Sequence, residues 1–168
     1  MEFNHIPVLL KETMELLNCS PGDIIVDGTL GGGGHGGEIL RRITPGGTLL
    51  GIDRDPNALR AAREFLHKYG DSLITIHDNF SNLDSILTGL NISAIDGMLL
   101  DRGVSSHQLD RGDRGFSYQN DASLDMRMDP TQTLDAHKVI NEYSEGELAW
   151  IISNYGEERW AKRIAKFI

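Results

Sequence analysis

An α/β chain with a Rossmann-like, doubly wound parallel sheet is the fold this sequence predicts, on two observations. First, the short β-branched run Ile24-Ile25-Val26 ends in Asp27 and passes straight into a glycine-rich loop, Gly28 to Gly34, followed by His35. Glu38, Ile39, Leu40 and Ile43 then carry a helical pattern. Second, apolar runs alternate with amphipathic helical patterns as far as Asp101. Strands that are apolar on both faces and alternate with helices give a parallel sheet covered on both sides.

Each element has its own signal. Pro7 at a helix start, with Leu9, Thr13, Leu16 and Leu17, predicts an opening helix closed by Asn18 to Gly22. Ile24 to Asp27 is the first strand and Thr48 to Asp53 the second. Asp55 as N-cap and Pro56 as first helical residue open a helix that buries Leu59, Ala62, Leu66 and Tyr69. Leu73 to His77 is the third strand. Ser81 with Asp84 resembles a capping box before a helix carrying Leu83, Ile86, Leu87 and Leu90. Ile95 to Leu100 is the fourth strand, ending in Asp101.

The pattern changes after Asp101. A Gly-, Asp-, Ser- and Arg-rich stretch runs to Pro130, too long for an ordinary β/α loop and therefore read as functional. Three helical patterns follow without a strand. The first buries Ala136, Val139, Ile140 and Tyr143; the second opens on a Ser144/Glu147 box and buries Leu148, Ile151, Ile152 and Tyr155. The third carries Trp160, Ile164 and Ile168, and both Trp150 and Trp160 read as core. The expected organisation is a Rossmann-like domain over 1–129, with four strands and a site loop, and the start of a helical subdomain over 130–168. A fourth strand without a successor makes the sheet look unfinished, as in the N-terminal portion of a longer protein.

Composition narrows the class. The 168 residues are 39 % hydrophobic and 24 % charged, ordinary for a soluble globular protein. No run approaches the roughly 18 apolar residues of a membrane span. The single cysteine, Cys19, cannot form an internal disulfide, and the first residues lack a signal-peptide pattern. A cytoplasmic setting is expected. The His residues show no metal-ligand spacing, so no metal is expected. The net charge of −9 argues mildly against nucleic acid, yet Arg111, Arg114, Arg127, Arg159, Lys162, Arg163 and Lys166 crowd the second half. A basic recognition face there stays open.

Strand, glycine turn and helix in that order form a nucleotide-cofactor site. Glycines admit a close ligand, and the helix N-terminus turns N–H groups toward it. Asp53 lies about 20 residues past the loop, where an acid meets ribose hydroxyls. Gly31-x-Gly33-x-x-Gly36 satisfies the dinucleotide fingerprint, so a nicotinamide-dependent oxidoreductase is one reading. S-adenosylmethionine is the other, and three features favour it. Asp27 ends the first strand where a carboxylate attracts a cationic ligand and repels pyrophosphate. Asp78-Asn79-Phe80 follows the third strand and suits an adenine. Asp101 ends the fourth. A P-loop is excluded because no Gly-Lys-Ser/Thr follows the glycines.

Several segments carry a family resemblance: His5-Ile6-Pro7-Val8-Leu9-Leu10 with Glu12, Val26-Asp27-Gly28-Thr29 with Gly33-Gly34-His35, and Asp53-Arg54-Asp55-Pro56. Asn79-Phe80, Gly103-Val104-Ser105-Ser106, Gln108-Leu109-Asp110, Arg114-Gly115-Phe116-Ser117 and the run Leu124 to Asp129 continue it, as far as Gly156-Glu157-Glu158-Arg159. In this order they resemble the bacterial small-subunit ribosomal RNA cytosine-N4 methyltransferases. The resemblance implies a class I S-adenosylmethionine-dependent methyltransferase fold with a helical domain inserted after the fourth strand. It implies methylation of a cytidine amine in the decoding region, with the small ribosomal subunit as partner. It places cofactor contacts on Gly33, Gly34, His35, Asp53, Phe80, Asp101 and Gln108. Arg102 stands where the family usually has Leu, and His107 where it usually has Pro.

The amine of cytosine is a poor nucleophile, so a site must align it and hold an acceptor against its N–H. Asp101 is the candidate catalytic acceptor. The Asp-Pro-Pro-Tyr signature of many amino-methyltransferases is absent. An extruded base could enter the loop from Gly103 to Phe116, with Phe116 and Tyr118 to stack on it. Blander roles stand beside these. His35 could cap a helix, Phe80 could be core and Gln108 a turn residue. Arg111, Arg114 and Arg127 could be solvated or paired with Asp. A third class, a non-catalytic module that keeps the cofactor fold, would also fit.

Overall fold

The computed structural model describes residues 7–104, 109, 112–119 and 121–168. They fall into two compact units, 1–104 and 105–168. In the first, the elements run α1 (Leu10–Leu17), β1 (Ile24–Asp27), α2 (Gly34–Ile43), β2 (Thr48–Asp53), α3 (Pro56–Leu66), β3 (Leu73–His77), α4 (Leu83–Gly89) and β4 (Gly97–Leu99). All four strands are parallel, in the order β3-β2-β1-β4. The chain therefore builds outward from β1 to β3 and then returns to place β4 on the other side of β1. That reversal opens a crevice at the carboxyl ends of β1 and β4, where open α/β sheets bind ligands.

Alternation along the strands sorts the core onto two faces. Ile25 and Leu49 join Met14, Leu30, Ile39, Leu40, Ile43, Leu59 and Leu66 in one fully buried cluster drawn from α1, α2 and α3. Val26, Leu50 and Ile52 point the other way, against partly buried Leu83, Ile86 and Leu87 of α4. β4 is shorter than the expected Ile95 to Leu100. The Asp96 amide donates to the Ile24 carbonyl and its side chain accepts the Ile24 amide, both at 2.8 Å, and regular pairing begins at Gly97. A Cβ at Gly97 would lie 2.9 Å from the tip of the Leu17 side chain, which would have to shift.

Two helix starts differ from expectation. Pro7 does not open α1; Leu9 takes a left-handed conformation (φ 54°), and the helix begins at Leu10. Asp55 does cap α3, its Oδ1 accepting the Asn57 amide at 2.9 Å, with Pro56 as first residue. The Ser81/Asp84 box does not form. Asn79 accepts the Ser81 amide instead, making a 3₁₀ turn over Phe80–Asn82 from which α4 continues.

The second unit holds α5 (Ala136–Glu142), α6 (Glu145–Asn154) and α7 (Ala161–Phe167). α6 opens on the expected Ser144/Glu147 capping box. Leu148 of α6 and Ala161 and Ala165 of α7 are the buried residues among those described in this unit, and the two alanines let α7 approach α6 closely. The expected apolar stripe is thus displaced by one residue. Trp160 is 53 % exposed, Ile168 55 % and Tyr155 77 %, and Trp150, at 55 %, is not core either. The segment before α5 belongs to this unit, whereas the expected domain boundary lay at 129/130. Backbone bonds explain the difference: the Ala136 amide meets the Asp125 carbonyl and the His137 amide the Leu124 carbonyl, each at 2.8 Å.

Candidate functional site

The glycine loop occupies the crevice end of β1. The Gly28 amide donates to the Leu99 carbonyl at 2.9 Å and the Leu30 amide to the Ile52 carbonyl at 3.0 Å, so the loop is stitched to β4 and β2. Gly33 caps α2 with φ 86°, and a Cβ there would lie 2.8 Å from Leu66. Its left-handed backbone favours glycine, and the packed Leu66 leaves little room for a side chain. Gly34 and His35 form the first turn of α2, where amide donors have no partner within the helix.

Three carboxylates surround this loop. Asp27 is 1 % exposed, and its Oδ1 accepts the Thr29 amide at 3.0 Å. Burial, reinforced by the charges of Asp53 and Asp101 and opposed by the Thr29 amide, pushes its carboxyl up to about 7. Asp53 reaches back from β2: Oδ2 accepts the Gly31 amide and Oδ1 the Asp55 amide, both at 2.8 Å. Burial raises its pKa as well, against those hydrogen bonds. Asp101 follows β4 with an exposed side chain, and its Oδ2 lies 3.9 Å from Nδ1 of His35. The other ring nitrogen of His35, Nε2, is buried without a hydrogen-bond partner. Phe80 is half-buried at the start of the 3₁₀ turn, and its Cβ lies 3.1 Å from where a side chain on Gly28 would begin.

The structure thus brings Gly33, Gly34, His35, Asp53, Phe80 and Asp101 around one crevice. Gln108 lies outside the described residues, as do Arg111 and His107. Thr29 is the residue that sequence reasoning missed. Its hydroxyl accepts the Asp101 amide at 2.7 Å and faces Asp27 Oδ1 at 3.5 Å, linking the ends of β4 and β1. Its sequence signals were its place directly after Asp27-Gly28 and its membership of the family-like segment Val26 to Thr29. Arg114 and Arg127 are both engaged within their own segment. Arg114 donates to the carbonyls of Arg127 and Met128, each at 2.9 Å, and Arg127 pairs with Asp125 at 2.7 Å.

The donor set decides what can bind. Three clustered acids make a field that disfavours pyrophosphate and favours a positive group. The glycine turn and the α2 amides add hydrogen-bond donors beside that field. Among the described residues no group of three His, Cys, Asp or Glu side chains could hold a metal ion.

The profile of the MraW methylase family matches residues 2–168. This chain belongs to that family. It is 55 % identical over 168 residues to a ribosomal RNA small subunit methyltransferase H of Symbiobacterium thermophilum, covering 100 % of this chain and 53 % of that protein. With the protein of the same name from Clostridium botulinum (strain Kyoto) it shares 52 % identity over 100 % of its own length and 54 % of the relative. The chain therefore spans about half the length of the curated relatives it matches. The solved structure of PH0851 has a TM-score of 0.50 at 17 % identity, covering 64 % of this chain and 23 % of that one, a likeness of fold alone. With the family established, the β3-β2-β1-β4 sheet is part of a class I methyltransferase sheet.

Proposed function

We propose that this member of the MraW methylase family binds S-adenosylmethionine in the crevice at β1 and β4, and that the protein to which it belongs methylates the N4 amine of a cytidine in small-subunit ribosomal RNA. The observation that carries the cofactor reading is the cluster of Asp27, Asp53 and Asp101 around the glycine loop. A dinucleotide would bring its pyrophosphate into this cluster, which disfavours the oxidoreductase reading. The family match and the names of the two relatives support RNA as substrate.

When bound, S-adenosylmethionine supplies an electrophilic methyl group on a sulfonium. The chain's own residues do the rest. Asp27 and Asp101 balance positive charge, and the exposed Oδ2 of Asp101 accepts a proton from an amine brought to the crevice. His35 Nδ1 stands 3.9 Å from that oxygen, on the same side of the crevice. Asp53 keeps Gly31 in position and offers its remaining lone pairs to ribose hydroxyls. Phe80 presents an apolar surface to an adenine ring. Cofactor titration tests the reading: S-adenosylmethionine binds and NAD does not, and Asp53→Ala weakens the former by about 1.5–3 kcal/mol, the scale of a lost charge-assisted hydrogen bond. Equal binding of both cofactors, or no effect of Asp53→Ala in calorimetry, would remove this site. For the substrate, the full-length protein should place labelled methyl groups on small ribosomal subunits and leave free cytidine untouched.

A further inference from the structure

The three acids of the crevice differ in what sustains their charge. Asp53 has a backbone amide on each oxygen, both at 2.8 Å. The side chain of Asp101 is 59 % exposed, so water screens it. Asp27 has neither support. It is 1 % exposed, and the partners of its Oδ1 are the Thr29 amide at 3.0 Å and, loosely, the Thr29 hydroxyl at 3.5 Å.

Its surroundings are apolar as well as acidic. Beside it, Gly28 packs so tightly that a side chain there would begin within 3.2 Å of Leu100, Phe80 and Met98. Charges interact more strongly in such a medium than in water. The groups facing Asp27 are Asp53 from β2 and Asp101 from beyond β4. Asp55, at the start of α3, faces Asp53, and His35 of α2 stands 3.9 Å from Asp101. Burial first, and then the two acids, push the Asp27 carboxyl up to about 7. Asp27 is therefore the acid whose charge responds most to what the crevice holds.

We infer that Asp27 selects the charged cofactor over its demethylated product, retaining the sulfonium of S-adenosylmethionine and releasing the neutral thioether that methyl transfer leaves. This selectivity rests on the cofactor reading proposed above. Both ligands carry the same adenosine, α-amino and carboxylate groups, so the glycine loop, Asp53 and Phe80 meet them alike. They differ by one methyl group and one positive charge. An ionised Asp27 attracts that charge, and a protonated one does not. Methyl transfer forms the N–C bond and breaks the C–S bond, whose electron pair stays on sulfur. The amine gives its proton to Asp101, which returns it to solvent. Asp27, with no cation left to offset its burial, takes a proton up.

Calorimetry on the full-length protein, with S-adenosylmethionine and S-adenosylhomocysteine from pH 6 to pH 8, tests this. The α-amino group common to the two ligands titrates in the same window, so the ratio of affinities is the readout. Expected is a preference for the sulfonium form that grows about tenfold across that range, as one carboxyl titrating near 7 and ionised in the complex requires. At pH 6, heats in buffers of different ionisation enthalpy should show about one proton released per S-adenosylmethionine bound and none per S-adenosylhomocysteine. Asp27→Asn should abolish that release, flatten the ratio and lower affinity for the sulfonium form about tenfold or more at pH 8. Its unchanged affinity for the thioether shows that it is folded. Should the variant bind neither ligand, the wild-type ratio and proton count still decide. A ratio constant with pH overturns the inference and leaves the cofactor site standing. So does proton release that persists in Asp27→Asn, which would belong to Asp53 or Asp101. Binding of neither ligand by the wild type overturns the cofactor reading and this inference with it.

Discussion

Asp27 sits at the end of β1 under conflicting demands: it is buried, faces two other acids, and receives a single backbone amide. In the unfolded chain it ionises near the ordinary 3.8; in the folded chain it keeps its proton up to about 7. Between those values the folded state binds more protons than the unfolded one. The stability this group contributes is therefore complete below about 3.8 and is lost as pH rises through about 7. Chemical denaturation at pH 5 and pH 8 should show a loss in the wild type that Asp27→Asn largely removes. An equal loss in both proteins would mean Asp27 is not the group responsible. A cationic ligand reverses the sign, so S-adenosylmethionine should bind more tightly above pH 7 than below it. The acids were legible in the sequence because each ends an apolar run. Thr29 was not, because its importance comes from a hydrogen bond to a residue 72 positions away. Thr29→Val should cost about 1 kcal/mol by denaturant titration, the usual net value of one hydrogen bond, and should weaken cofactor binding through Asp101. Unchanged stability and affinity would leave Thr29 without a role.

At the scale of elements, strands were easier to read than caps. All four were recognisable as apolar runs, and only β4 was drawn too long: regular pairing with β1 runs from Gly97 to Leu99, and the Asp96 side chain rather than a backbone carbonyl accepts the Ile24 amide. The two serine-led boxes show why caps are harder. Ser144 and Glu147 close their box, whereas Ser81 and Asp84 do not. Aspartate is one methylene shorter than the Glu or Gln a box requires. The deciding contact is again nearby but unreadable as a pattern: Asn79 takes the Ser81 amide and turns the chain one step earlier. Ser144→Ala should therefore cost about 1 kcal/mol, and Asn79→Ala a similar amount, while Ser81→Ala should stay within about 0.5 kcal/mol. Thermal unfolding of the three variants checks the order. A Ser81 variant as damaging as the Ser144 one would restore the box the structure lacks. Trp150 and Trp160 illustrate the opposite error. Their helical spacing marks a face, but Ala161 and Ala165 supply the close packing and leave the large rings outside.

For the whole molecule, the order of strands explains how dispersed residues make one site. Asp27, Thr29, His35, Asp53 and Asp101 span much of the first unit in sequence, and the reversal between β1 and β4 is what gathers them. The strand–glycine–strand pattern made that half legible. The bonds of Arg114, Asp125 and Arg127 were not, since they run to carbonyls and through a local ion pair that no periodicity announces. The division into two units leads to a last prediction. A ligand that binds only the folded state stabilises by RT ln(1 + [L]/Kd), about 2.7 kcal/mol at a hundredfold excess over Kd. Because the proposed donor set lies between residues 27 and 101, saturating S-adenosylmethionine should slow amide hydrogen exchange at the buried strand residues Ile25, Val26, Leu49 and Leu50. Amides of α6, such as Leu148, should exchange at an unchanged rate. NAD at the same concentration should protect neither. Equal protection of the strands and of α6 would show that the two units unfold as one, and protection by NAD would return the acid cluster to the dinucleotide reading.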